Sequence, residues 1–244
     1  MIVDDEDAYG HLVLDHLEGR DGVEIVERDD GWIATSGGPR SYFAPLRRWP
    51  AVERRALRHV RGRVLDVGCG AGRVALELER RGHEVLAIDI SPLAVEVSRR
   101  RGVGEAAVMP FSAVSSRLGS FDTVVMMGNN FGLFANARRC RHMLRRLRGM
   151  TGETGRIVAT SNDPYANDDE GHRAYQARNR ARGRLSGQLR LRVRYRGYRT
   201  PWFEYLIVSA DEMRDLAAGS GWRVARVIAS PDSGLYTAVL EHDR

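Results

Sequence analysis

The stretch Val64-Leu65-Asp66-Val67-Gly68-Cys69-Gly70-Ala71-Gly72-Arg73 decides the fold. Val64, Leu65 and Val67 are the β-prone residues of a buried strand. Gly68, Gly70 and Gly72 permit a tight turn with positive φ and a close approach of a ligand to the backbone. A helix then opens at Arg73 with its free N–H groups facing that ligand. The spacing is Asp-x-Gly-x-Gly-x-Gly, not the Gly-x-Gly-x-x-Gly that seats a pyrophosphate on a helix N-terminus. Asp66, just before the glycines, would repel a pyrophosphate but could pair with the amino group of an amino-acid moiety. The plainer alternative is a generic strand, turn and helix with a solvated Asp66.

The residues that follow decide between these readings. A helix from Arg73 to Arg81, closed by Gly82, leads into the strand Glu84 to Asp89. An acid about 20 residues beyond the glycines, at the tip of the neighbouring parallel strand, is placed for ribose hydroxyls. Ser91-Pro92 supplies an N-cap and first-turn proline for a helix that runs to Arg101 and stops at Gly102. Strands then follow at Ala106–Met109, Phe121–Met127 and Arg156–Thr160, with a helix from Asn136 to Arg148. Alternation of this kind marks a parallel sheet with helices on both faces. Near the end a helix over Asp211–Gly219 precedes strands at Trp222–Ala229 and Leu235–Glu241. The loop Gly128-Asn129-Asn130-Phe131-Gly132 lies at the carboxyl edge of the sheet, where ligands of doubly wound folds sit.

The glycine pattern, Asp89 and this rhythm resemble class I S-adenosylmethionine-dependent methyltransferases, over about residues 60 to 160 and 209 to 241. The resemblance implies an α/β, doubly wound, mostly parallel seven-stranded sheet whose last strand is antiparallel. It implies S-adenosyl-L-methionine as cofactor and S-adenosyl-L-homocysteine as product. The positions it assigns to the cofactor are Asp66, Gly68, Cys69, Gly70, Ala71, Gly72, Arg73, Asp89, Ile90, Met109, Pro110, Met127 and Asn129. Tyr42 joins them from an N-terminal segment that in the family often folds over the cofactor; otherwise it packs that segment onto the core. Asn130, Tyr165 and Trp202 are the substrate-side candidates, and for Asn129 and Asn130 loop capping by side-chain amides is the competing role.

The organisation expected is a helix and hairpin segment at 1–60 covering the cofactor site, and a methyltransferase domain at 61–244 with 161–209 inserted on the substrate side. A chain of 244 residues with 43% hydrophobic content can bury a large core. No apolar run approaches the ~18 residues of a membrane helix. The acidic start Asp4-Asp5-Glu6-Asp7 lacks the form of a secretory signal, so a cytoplasmic protein is expected. Cys69 and Cys140 offer neither a disulfide framework nor a metal spacing, and His11, Asp15 and His16 read as a helix surface, so no metal is expected.

In the first segment, Ala8–Leu17 reads as a helix and Asp29-Asp30-Gly31 as the turn of a hairpin between Val23–Glu27 and Trp32–Thr35. Ser36 to Phe43 reads as a flexible stretch ending in aromatics. In the insert, Leu189 to Arg196 alternates strictly, one face all arginine and the other apolar, with Thr200–Val208 as its antiparallel partner. That hairpin is expected to form a flap near the active edge. All 38 basic residues are Arg, the net charge is +6, and Arg173, Arg178, Arg180, Arg182 and Arg184 add to the insert's charge. Uniform Arg usage points to a compositional bias of the whole chain. Asn162-Asp163-Pro164-Tyr165 is similar to the Asn-Pro-Pro-Tyr motif of amino-group methyltransferases, but it follows the fifth strand and lacks the second proline.

The function expected is methyl transfer to an N or O nucleophile of a small metabolite or natural product. The alternatives are a nucleic-acid (RNA) methyltransferase using the arginine-rich insert, and a non-catalytic cofactor-binding protein. No general base stands out among Tyr9, His11, Tyr42, Asn129, Tyr165, His172 and Tyr175, and oligomeric state is not legible.

Overall fold

A computed structural model describes residues 2–243. The chain opens with α1 (Ala8–Leu17), β1 (Ile25–Arg28), β2 (Ile33–Thr35), α2 (Gly38–Tyr42) and α3 (Ala51–Ala56). Next come β3 (Val64–Val67), α4 (Arg73–Arg80), β4 (Val85–Asp89), α5 (Pro92–Arg100), β5 (Ala106–Val108), β6 (Phe121–Met126), α6 (Ala137–Arg148) and β7 (Thr151–Asn162). The remainder is α7 (Glu170–Ala181), β8 (Gln188–Tyr195), β9 (Tyr198–Arg199), β10 (Phe203–Leu206), α8 (Ala210–Ala217), β11 (Trp222–Ala229) and β12 (Leu235–His242).

Seven strands form one sheet in the order β11-β12-β7-β6-β3-β4-β5. β4 with β5 and β6 with β7 are parallel, while β12 is antiparallel to both β7 and β11. The doubly wound expectation, with its antiparallel last strand, is therefore met. A second sheet runs β10-β8-β1-β2, with β9 paired to β8. No helix of the described residues is long and apolar enough to cross a membrane.

Two compact units divide the chain. The first comprises the residues up to Trp49, then Leu65–Val114 and Arg190–Phe203. In it Leu65–Val67 and Val85–Ile88 are buried without alternation, as parallel strands covered on both faces must be. Val13 of α1 packs with Ala71, Ala94 and Val97, flanked by Tyr9, Tyr42 and Phe43. Asp7 holds that packing. One of its carboxylate oxygens accepts from Gly10 N–H (2.9 Å) and caps α1; the other accepts from Ser91 Oγ (2.8 Å) and Leu93 N–H (3.3 Å) at the start of α5. An acid read from sequence only as part of a charged terminus thus caps two helices.

β8 is antiparallel to β1, with Ile25 opposite Arg194 and Glu27 opposite Arg192. The insert's alternating strand therefore completes a sheet begun by the N-terminal hairpin, where the sequence reading gave it only a flap partner downstream. The Glu27 carboxylate accepts from Arg194 (2.6 Å) and Arg192 (2.7 Å), which hold its carboxyl below the usual range against the opposing effect of burial. On the apolar face Tyr195 is buried and donates to Asp15 Oδ2 at 2.7 Å.

The second unit comprises Pro50–Val64, Ser115–Leu189 and the residues from Glu204 onward. β12 lies between β7 and β11, and Trp222 Nε1 donates to Leu144 O at 2.8 Å, tying β11 to α6. Cys140, Met143, Leu144 and Leu147 form the buried stripe of α6. α8 starts with the capping box Ser209–Glu212, as the sequence indicated. Three elements differ from the sequence reading. β7 begins at Thr151 and not Arg156, Glu170–Ala181 is a helix, and Ala51–Ala56 is another. In the first unit Gly38–Tyr42 is likewise a short helix, not a flexible stretch.

Candidate cofactor and acceptor sites

In the first unit the glycine turn is tied to the neighbouring strand through its own backbone. Gly68 and Cys69 N–H both donate to Ile88 O, at 2.9 and 3.0 Å. Gly70 N–H donates to Asp89 Oδ2 (2.9 Å), and Asp89 Oδ1 accepts from Ser91 N–H (3.0 Å). Asp89 therefore spans the glycine turn and the start of α5. Burial raises its carboxyl, and these backbone donors work against that shift.

Close packing explains two of the glycines. A Cβ at Gly70, whose φ is +54°, would lie 2.3 Å from Tyr9 Oη; at Gly72, φ +77°, it would meet Val103 at 2.7 Å and Ser98 Oγ at 2.9 Å. Helices α1 and α5 thus approach the turn too closely for any side chain. Ser98 Oγ donates to Gly70 O at 2.7 Å. Arg101 donates to Ala71 O, with its guanidinium 4.4 Å from the Phe43 ring.

Asp66 is 1% exposed, and its Oδ2 has no hydrogen-bond partner. Burial, then the charge of Asp89, push its carboxyl up to about 7, with Arg73 acting in the opposite sense. A carboxylate in that state lacks the cation that would compensate its desolvation. Arg73 itself lies 4.3 Å over the Trp49 ring.

Around this centre stand the other expected cofactor residues of the unit. Ile90, next to Asp89 in the chain, is 45% exposed, and Val108, which pairs with Asp89, is 36% exposed. Met109 N–H donates to Asp89 O (2.7 Å), and Pro110 leads into a single turn at Phe111–Ala113. Tyr42 donates to Glu24 Oε2 at 2.6 Å and meets Tyr9 edge-on at 5.1 Å. Tyr9, which sequence reasoning did not separate from other tyrosines, has its hydroxyl raised well above the usual value, by burial first and then by Tyr42. The Cys69 thiol is also pushed up by burial, which makes it a poor nucleophile. Trp202 lies under the guanidinium groups of Arg192 (4.6 Å) and Arg190 (5.9 Å), on the arginine face of the second sheet.

In the second unit the loop after β6 is built around Asn129. Its φ is +69°, a left-handed conformation that a non-glycine residue adopts at a cost. Tyr205 Oη donates to Asn129 O (2.6 Å), and the Tyr205 ring lies where a Cβ at Gly132 would fall, 2.1 Å away. Glu53 of α3, 2% exposed, accepts from Gly128 N–H at 2.8 Å. The Asn129 side-chain Oδ1 is buried without a partner. Loop capping, the competing role, does not satisfy this oxygen. Met127 is buried, and Asn130 opens the turn Asn130–Phe134. Tyr165 is 48% exposed and donates to Glu212 Oε1 at 2.7 Å. Glu53 and Tyr205 were missed in the sequence because α3 carries too short a pattern and Tyr205 is one of several aromatics in its strand.

A methyltransferase-domain family model matches residues 64–155. Over 69 residues the chain is 39% identical to the magnesium-protoporphyrin O-methyltransferase of Rhodobacter capsulatus, which is 27% of this chain and 31% of that protein. Over 71 residues it is 38% identical to the ubiquinone biosynthesis O-methyltransferase of Xanthomonas oryzae pv. oryzae, 27% of this chain and 30% of that protein. The match thus spans about three tenths of the length of these curated relatives. A likeness along the whole chain is found with an S-adenosylmethionine-dependent methyltransferase from Bacteroides fragilis, crystallised with S-adenosyl-L-homocysteine. It has a TM-score of 0.85 and 26% identity, covering 100% of this chain and 98% of that one. The glycine turn, the sheet order and these likenesses together support a class I S-adenosylmethionine-dependent methyltransferase, subfamily unspecified.

Proposed function

We propose that the protein transfers the methyl group of S-adenosyl-L-methionine to an oxygen or nitrogen nucleophile of a small molecule. The observation that carries this reading is Asp66, a buried carboxylate with an unpartnered oxygen beside a glycine turn. An α-ammonium is the cation that fits it. Asp89, which accepts backbone N–H groups from Gly70 on Oδ2 and Ser91 on Oδ1, has acceptor capacity left for ribose hydroxyls. Ile90 and Val108 offer an apolar surface to an adenine ring. When bound, S-adenosyl-L-methionine supplies a sulfonium methyl open to in-line displacement.

The chain's part is to hold and orient. Fixing two reactants in line can be worth ~7–11 kcal/mol of barrier. Tyr9 and Tyr205 keep their phenolic protons through neutral pH, because burial raises both. They act there as hydrogen-bond donors and not as bases. Asn129, held in a left-handed conformation by Tyr205, offers a buried carbonyl oxygen to a donor on the acceptor molecule.

A small acceptor is favoured over nucleic acid by the state of the arginine face. Arg192 and Arg194 are already paired with Glu27, and Trp202 is stacked by Arg190 and Arg192, so neither is held ready for phosphates or bases. Both named O-methyltransferase relatives point the same way. The test is methyl transfer from labelled cofactor to mixed phenols, catechols and amines, with RNA in parallel. Label in the small-molecule fraction is expected; label in RNA alone would reverse the choice.

A further inference from the structure

The second unit contains an open pocket of about 500 Å³, among whose lining residues are Asn136, Arg138, Arg141, Arg145, Gly183 and Gln188. Its wall is α6, whose twelve residues include six arginines and no acid. Arg138, Arg141 and Arg145 follow at spacings of three and four, so they project from one face of the helix. Among the described residues no carboxylate pairs with any of the three, whereas Arg80, Arg192 and Arg194 all find one. One acid, Glu204, is bonded to the lining residues: its oxygens accept from Asn136 Nδ2 (2.7 Å) and Gln188 Nε2 (3.2 Å). One carboxylate against three guanidinium groups leaves the pocket strongly positive, and the N-terminal end of α6 adds to that sign.

The segment that brings Gly183 and Gln188 to the pocket is held in place. Asn179 Nδ2 donates to Ser186 O (3.1 Å) and Gln188 O (2.8 Å), Arg184 N–H donates to Asn179 O (3.0 Å), and Arg180 donates to Ser186 Oγ (2.9 Å). The turn after α7 is thereby fixed against its own helix. A rigid concavity with several unpaired guanidinium groups suits a multiply charged anion, which accepts two N–H bonds from each fork.

We propose that this pocket binds the phosphate groups of a small phosphorylated ligand. Its volume lies within the range that holds a single small molecule, and a polymer would need a continuing track of such residues. The inference stands on the pocket alone and is independent of methyl transfer.

The full chain is titrated at low salt with inorganic pyrophosphate, with a nucleoside diphosphate and with a single-stranded RNA hexamer, by calorimetry. Both small phosphates are expected to bind, with affinity falling as salt rises. The variant R138Q/R141Q/R145Q should lose about tenfold or more of that affinity, since charged hydrogen bonds are removed. The control R48Q/R117Q/R199Q, three exposed arginines away from the pocket, should lose little. Far-UV circular dichroism checks that both fold, and R141Q alone serves if the triple variant does not. No binding of either small phosphate, or equal losses in both triple variants, overturns the proposal. It is also overturned if the hexamer binds far more tightly than the small phosphates, with a salt slope of several charges.

Discussion

Protonation of Asp66 should govern cofactor affinity below neutrality. Its carboxyl ionises near 3.8 in an unfolded chain and at about 7 in the ligand-free fold. Between those values the folded state keeps a proton that the unfolded state releases, so this group's contribution to stability declines as pH rises through that window. An ammonium reverses the preference, because it pairs only with the ionised form. If S-adenosyl-L-homocysteine binds the ionised form alone, the competent fraction falls from about three quarters at pH 7.5 to about a tenth at pH 6. Affinity then drops about eightfold from this group, or about 1.2 kcal/mol. Calorimetry at several pH values, each in two buffers of different ionisation enthalpy, measures both the drop and the proton. At pH 6.5 about three quarters of a proton should leave per ligand bound. Asp66→Asn should bind more weakly at pH 7.5 and show neither the slope nor the proton release. The reasoning fails if the wild-type affinity is flat from pH 6 to 7.5, or if Asp66→Asn keeps the same slope.

Gly70→Ala places a Cβ 2.3 Å from Tyr9 Oη at a φ of +54°, which should cost about 1–2 kcal/mol from the backbone alone and weaken S-adenosyl-L-homocysteine binding severalfold. Unchanged melting and binding would show that Tyr9 is not packed on the turn. Asp7→Ala removes the acceptor for Gly10 and that for Ser91 and Leu93, so urea denaturation should read a loss of about 2 kcal/mol, two caps at about 1 each. A loss typical of a surface residue, below about 0.5 kcal/mol, contradicts the double cap. Tyr205→Phe keeps the ring over Gly132 and deletes the bond to Asn129 O; kcat/KM should fall while the dissociation constant of S-adenosyl-L-homocysteine holds, at a stability cost of about 1 kcal/mol. An equal fall in both would assign Tyr205 to the cofactor and not the acceptor.

The cofactor half of the protein is legible because its signals are local. Asp66, the three glycines and Asp89 lie within 24 consecutive residues, and backbone hydrogen bonds from the turn to Ile88 and Asp89 make that local order spatial. The strands of the main sheet announce themselves through buried, β-branched runs. What escaped depends on distant partners. Tyr9 matters because a glycine far along the chain lets it approach, and Asp7 because its second oxygen reaches a helix 84 residues away. The alternating strand at Gln188–Tyr195 was recognisable as a strand, but its pairing with Ile25–Arg28 is a long-range register that alternation does not encode. Asn129 could be located but not weighed: its unpartnered Oδ1 follows from the conformation that Tyr205 and Gly132 impose. Glu170–Ala181 was hidden by composition, since its arginines read as a charged stretch before they read as a helix.

The most direct test of the account is equilibrium binding of S-adenosyl-L-homocysteine to the full chain at pH 7.5, beside Asp66→Asn and Asp89→Asn. The account predicts saturable one-to-one binding by the wild type, and at least tenfold weaker binding by each variant with the fold intact. A folded wild-type chain that does not bind, or variants that bind as tightly as it does, would contradict the assignment of the glycine turn to this cofactor.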